Sequence, residues 1–212
     1  MQERITILSK ENPNVILRAY PGHFIAPNAH SNYYLDMTAI KTRTHESYAA
    51  AKELAKQINP TTVVDTIVCM DGCSVIGAYL SEELTKSGII SVNSYRAINV
   101  VSPEAAATGQ LVFRDNIQPM INGKNVLLLV ATAATGQTLA RSAEALKYYG
   151  ANIVSICTIF SVANTCFGLP VHSLFTSKDI PDYKIYAPDN CAMCKNKQPV
   201  DAFTNAFGYS KI

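Results

Sequence analysis

The stretch Lys124–Leu139, KNVLLLVATAATGQTL, joins an apolar run to a small, hydroxyl-rich turn. Val126–Val130 follows the turn Asn122-Gly123 and reads as a buried strand. Ala131–Gly136 reads as the loop after it. Gln137 to Tyr149 carries a helical pattern, and Gly150 ends it. Thr135-Gly136-Gln137-Thr138 therefore stands where a strand turns into a helix. A helix start offers unpaired N–H groups and the positive end of the dipole, which suits an anion. Gly136 lets backbone approach a ligand closely, and Thr135 and Thr138 add hydroxyl donors. On this tetrapeptide alone, an ordinary helix cap with small packing residues would look the same.

The neighbouring segments repeat the alternation. Ile153–Phe160 is a further strand, and His172–Thr176 and Lys184–Tyr186 can be two more. Upstream, Val63–Met70 reads as a strand buried on both faces. The turn Asp71-Gly72-Cys73-Ser74 follows, then a helix from Val75 to about Lys86, closed by Ser87-Gly88. Ile89–Val92 and Ala97–Val101 can be short strands, and Ser102–Gly109 reads as a loop. Thr44 to Ile58 is a helix with Thr44 as its cap and Glu46 in its first turn. Asn59-Pro60 stops it. The region up to about Thr42, rich in Asn, Pro and Tyr, reads as irregular. Strand–helix–strand–helix–strand order predicts an α/β fold with a parallel sheet flanked by helices. Ligands of such sheets bind beyond the carboxyl ends of the strands, where Asp71–Ser74 and Ala131–Gly136 lie.

Composition sets bounds. The 212 residues are 48% hydrophobic and 16% charged, which suits one globular domain. A net charge of +2 gives no reason to expect nucleic acid or an anionic membrane as partner. The N-terminus leads into no apolar signal region, and Val126–Ala134 is too short to span a bilayer. A cytoplasmic protein is expected, with its six cysteines reduced. Cys191 and Cys194 form a CxxC pair, half of a zinc site or a redox motif. Zinc needs four ligands, and no second pair stands nearby, so no metal is assigned. His172, Cys157 or Cys166 could complete the set only through folding.

Lys124–Leu139 resembles the signature of the type I phosphoribosyltransferases. There a hydrophobic strand meets two acidic residues, two variable ones, and a Thr-rich loop that cradles the 5′-phosphate of PRPP (phosphoribosyl pyrophosphate). The resemblance implies phosphate binding at Ala134, Thr135, Gly136, Gln137 and Thr138. His23–Met37, HFIAPNAHSNYYLDM, is similar to the hood segment of orotate phosphoribosyltransferases, which implies a base pocket at Phe24, Ser31 and Tyr34. Val68–Ala78, VCMDGCSVIGA, looks like the family's pyrophosphate loop, here Asp71, Gly72, Cys73 and Ser74. Cys73 at a helix start could carry a lowered pKa, or be a small packing residue. The resemblance covers about Phe24 to Phe160. It implies a type I phosphoribosyltransferase fold: a hood over residues 1–43, an α/β core over 44–180 and a tail over 181–212. It also implies a homodimer, and magnesium if the protein is active.

Three elements depart from the family: the acidic pair, the loop lysines, and the Gly-rich pyrophosphate loop, where Cys69, Cys73 and Ser74 take places that are often Gly. Val130 and Ala131 stand where the acidic pair would contact the ribose hydroxyls. A charge-assisted hydrogen bond contributes about 1.5–3 kcal/mol, so ribose binding should suffer. No lysine occurs between Lys86 and Lys124, where the family carries its loop lysines. Ser102–Arg114, SPEAAATGQLVFR, offers Glu104 and Arg114, with Arg96 upstream. Two expectations follow. One is an orotate phosphoribosyltransferase-like transferase of pyrimidine biosynthesis, joining PRPP and a base. The other is a non-catalytic regulatory or binding protein for a nucleoside monophosphate or sugar phosphate.

Overall fold

The computed structural model describes residues 3–86, 91–106 and 110–212. Strand β1 (Ile5–Leu8) precedes a long hairpin of β2 (Ile16–Ala26) and β3 (Ala29–Asp36). Helices α1 (Thr38–Thr42) and α2 (Thr44–Gln57) lead to β4 (Thr66–Cys69) and α3 (Ser74–Thr85). Next come β5 (Asn99–Val101), the ribbon β6 (Glu104–Ala105) and β7 (Leu111–Val112), then β8 (Asn125–Ala133), α4 (Gln137–Tyr148) and β9 (Asn152–Ser161). The chain continues through β10 (Thr165–Cys166), β11 (Leu169–Thr176), β12 (Ile185–Tyr186), α5 (Ala192–Lys195), β13 (Ala202–Asn205) and β14 (Gly208–Lys211).

The core sheet has the order β10-β11-β9-β8-β4-β5 and is parallel except at β10–β11. Its central strand shows why both faces carry helices. Successive side chains of a strand point to opposite faces, and every residue of β8 from Val126 to Ala131 is buried. Val126, Leu128 and Val130 pack with Leu139 and Leu146 of α4. Leu127, Leu129 and Ala131 join Ala51 and Leu54 of α2 and Ile76 and Leu80 of α3. The expected parallel α/β sheet, flanked by helices, is thus the fold.

Several boundaries differ from expectation. Strand β8 continues to Ala133, because Thr132 and Ala133 stay in register with Phe160 and Ser161 of β9. The loop therefore starts at Ala134. Thr44 does not cap α2; the cap position is Arg43, and no side chain bonds there. Lys184–Tyr186 contributes to a second sheet, since Ile185 and Tyr186 pair with Ser31 and His30. Part of Ser102–Gly109 is strand rather than loop, as Glu104 and Ala105 pair with Val112 and Leu111. Ser91 and Val92 lie outside any strand. The expected stop at Ser87-Gly88 and the other half of Ile89–Val92 lie outside the described residues.

The largest correction concerns residues up to Thr42. They are not irregular but form a second sheet, ordered β12-β3-β2-β13-β14, with β1 also on β2. Strand β2 accommodates Pro21 at a register shift between Pro21 and Phe24. Proline cannot donate to a ladder and is tolerated at such bulges. Residues 202–203 of β13 pair in parallel with Phe24 and Ile25. No described helix is long and apolar enough to cross a membrane.

Candidate functional site

A cleft of about 300 Å³ opens between this hood sheet and the carboxyl ends of the core strands. Ala134, Thr135, Gly136 and Thr138 form its floor at the start of α4. Asp71, after β4, Thr132 of β8 and Phe160 of β9 border it. The hood contributes Ser31, Tyr33 and Tyr34, and the turn between β13 and β14 contributes Asn205 and Ala206.

The floor leaves the start of α4 uncapped. Gly136 occupies the cap position of α4 at φ +77°, and no side chain caps the helix. That left-handed conformation suits glycine, which lacks the Cβ clash. A Cβ there would meet no atom within 4 Å, so the approach to the first helical turn is open. Gln137 does not line the cleft; its N–H reaches the Thr135 hydroxyl at 3.4 Å.

Of the turn after β4, only Asp71 faces the cleft. Asp71 and Gly72 both take positive φ, 53° and 77°. Burial raises the Asp71 carboxyl above its ordinary range, against the opposing pull of the Lys41 charge and the Ala131 N–H. Cys73 is fully buried, and burial, then Cys69 and Asp71, push its thiol up. The possibility of a lowered Cys73 pKa is therefore overturned: it is a packing residue. Ser74 turns to the Ser102 hydroxyl, 3.1 Å away.

Val130 and Ala131 are both buried in the two halves of the core. They bring no carboxylate, yet Asp71 reaches the Ala131 N–H. Lys41 is the residue that sequence reasoning missed. Its ammonium donates to the carbonyls of Asp71 at 3.0 Å and Ala206 at 3.1 Å. It lines a smaller cavity with Asp71, Ala131 and Thr132. No spacing signal marks Lys41, because only tertiary packing of α1 brings it to the turn. Arg96 and Arg114 stay away from the cleft in exposed pairs, with Asp65 at 2.9 Å and Glu104 at 2.6 Å.

The hood wall is aromatic. Phe24 does not face the cleft; it is buried behind Tyr34, with ring centroids 5.9 Å apart. Burial, followed by Asp36 and neighbouring phenols, pushes Tyr34 up to about 12. Tyr33 stacks on Tyr183 at 6.4 Å, and Tyr183 meets Phe160 edge-on at 5.1 Å. Ser31 donates its hydroxyl proton to the Tyr33 carbonyl at 2.7 Å and can still accept a bond. Cys191 and Cys194 do not line the cleft.

Comparison with known proteins agrees with this architecture. The Phosphoribosyl transferase domain family matches residues 39–173. The orotate phosphoribosyltransferase of Thermotoga maritima is 26% identical over 183 residues, spanning 85% of this chain and 88% of that protein. The UMP synthase of Leishmania donovani superposes with a TM-score of 0.51 at 17% identity, over 70% of this chain and 31% of that longer chain. The orotate phosphoribosyltransferase of Aeropyrum pernix gives a TM-score of 0.50 at 18% identity, over 76% and 88% of the two chains. At such identities the solved structures speak for the fold alone.

Proposed function

The chain belongs to the phosphoribosyl transferase domain family, and from that premise we propose that its cleft binds a small 5′-phosphorylated ribose ligand bearing a pyrimidine. The reading is of an orotate phosphoribosyltransferase-like protein whose transfer chemistry is weakened. One observation carries it: the uncapped start of α4, opened by Gly136 at φ +77°, faces the cleft. The phosphate sits on the N–H groups of Ala134–Thr138, the ribose beside Thr132, and the base against Tyr33 and Tyr34. Val130 and Ala131 leave the ribose hydroxyls without the family's two carboxylates.

A thermal-shift screen of UMP, orotidine monophosphate, ribose 5-phosphate and PRPP tests this. A ligand at 100 times its Kd adds about 2.7 kcal/mol, raising Tm by roughly 5–10 °C for a domain of this size. Thr138→Val should shrink that shift while leaving the ligand-free Tm nearly unchanged. If no phosphorylated ligand moves Tm, the assignment fails.

A second reading, a working transferase, draws support from Asp71 and Lys41. Asp71 is the one carboxylate among the described residues lining the cleft. That would serve a magnesium ion that takes its remaining ligands from pyrophosphate and water, not one held by protein alone. Pyrophosphate release from PRPP, magnesium and orotate decides between the readings. Turnover within about 10²–10³-fold of an ordinary transferase, abolished by Asp71→Asn, would favour the enzyme. The same family reading makes the protein a homodimer, which light scattering in solution checks.

A further inference from the structure

Away from the cleft, the β2–β3 hairpin meets the turn around α5 at four side chains. They are His23, His30, Cys191 and Cys194, whose ligating atoms all lie within 4.8 Å of one another. His23 Nε2 stands 3.4 Å from His30 Nδ1, 3.6 Å from Cys194 Sγ and 3.7 Å from Cys191 Sγ. His30 Nδ1 and Cys194 Sγ are 3.3 Å apart. His23, His30 and Cys191 are buried, and Cys194 reaches the surface. The CxxC pair thus finds its partners in His23 and His30. His172, Cys157 and Cys166 instead sit in β11, β9 and β10 of the other sheet.

Four of the six separations match the edges of a coordination tetrahedron. Zinc lies about 2.3 Å from sulfur and about 2.0–2.1 Å from nitrogen, so a tetrahedral ion sets N···N near ~3.3 Å and N···S near ~3.5 Å. The four distances above scatter around these edges. The tautomer fits as well. His23 Nδ1 faces the Gln198 carbonyl at 3.0 Å, which can only accept, so Nδ1–H donates there and Nε2 is the nitrogen turned to the cluster. A second bond of this kind, to a backbone carbonyl, fixes the ring of a metal-ligating histidine. Two thiolates and two imidazoles select zinc over magnesium or calcium, which prefer oxygen.

We propose that His23, His30, Cys191 and Cys194 bind a structural zinc ion that clamps residues 191–198 to the β2–β3 hairpin. Four protein ligands close the shell, leaving no position for a substrate. The clamp also sets a register. His23 N–H donates to the Asp201 carboxylate at 2.9 Å, and the next residue, Ala202, pairs with Phe24. The zinc therefore holds the start of β13, and through it the wall at Asn205 and Ala206.

The test uses the full chain. Protein purified from zinc-supplemented medium should carry one equivalent of zinc by elemental analysis. Chelated protein, with its sheet content checked by circular dichroism, should bind cobalt(II) with intense tetrahedral d–d bands and a thiolate charge-transfer band. Cys194→Ser should weaken the metal at least ~10²-fold, and removing zinc should lower Tm by about 10 °C. Cys166→Ser, outside the cluster, should keep full occupancy. Wild-type protein that takes up neither zinc nor cobalt overturns the proposal, as does a Cys191→Ser/Cys194→Ser variant that binds metal like wild type. Fresh metal-free protein with a Cys191–Cys194 disulfide would overturn it in favour of a redox pair. The wild-type cobalt spectrum decides even if a variant fails to fold.

Discussion

Asp71 shows how a single buried carboxylate can work against stability. Burial raises its pKa despite Lys41 and the Ala131 N–H. A raised carboxyl pKa means the folded chain holds the proton more tightly than the unfolded one. The associated stability is present below the unfolded value and lost as pH rises through the folded value. Asp71→Asn should therefore raise Tm at pH 7 by a few degrees, an advantage that disappears near pH 3, while ligand binding falls. Glu46 behaves oppositely. Burial pushes it up, but the hydrogen bonds and charge of Arg18, joined by Arg43, outweigh this and hold it low. Its contribution is present above the ordinary carboxyl value and is lost as pH falls through the lowered one. Arg18 grips both Glu46 oxygens, at 2.9 and 3.1 Å, and Glu46 is 3% exposed. Glu46→Gln should cost about 3 kcal/mol at pH 7 by denaturant titration, and progressively less in acid.

At the scale of elements, tight crossings matter more than propensities. Helix α3 passes so close to β4 that a Cβ at Gly77 would collide with the Cys69 sulfur and stand 3.2 Å from Val100. Gly77→Ala should cost about 1–3 kcal/mol, even though alanine is the better helix former. Equal or greater stability would show that α3 is free to lift. The same comparison of local and long-range forces explains what the sequence disclosed. Strand β8 was legible because six consecutive residues are buried on both faces, leaving an unbroken apolar run. The turn proposed to bind phosphate was legible because Gly136 and its threonines are local. The hood was legible only through the resemblance at His23–Met37, and its strands were not. Pro21 and Gly22 break the pattern of β2, and beside its local partners β1 and β3 it pairs with residues 202–203, far along the chain. Asp71 could be assigned to a turn, but its approach to Ala131 and Lys41 is a product of packing. Half of the proposed metal cluster was visible as CxxC; the histidines were not, because no spacing links 23 and 30 to 191.

For the whole molecule, the cleft belongs to neither sheet. The α/β core presents Asp71, Thr132 and the start of α4, and the hood presents Tyr33, Tyr34, Asn205 and Ala206. Removing residues 202–212 should leave the core strands hydrogen-bonded and protected in amide exchange. It should abolish the Tm shift by nucleoside monophosphates. A truncated protein that still responds to them would show that the core alone makes the site.

The hood is assembled from two widely separated parts of the chain, residues 5–36 and 185–211, with the whole core sheet between them. During synthesis on the ribosome, β1, β2 and β3 emerge early and wait with the edge of β2 at Phe24 and Ile25 uncovered. The core can close once Thr176 has appeared, but Asn205 and Ala206 arrive later still. The cleft is thus completed after the core, and domains built by such distant pairings fold slowly. A released chain cut near residue 190 would keep every strand of the core sheet and lack the cleft wall at Asn205 and Ala206. Quality control that inspects only the core would pass it.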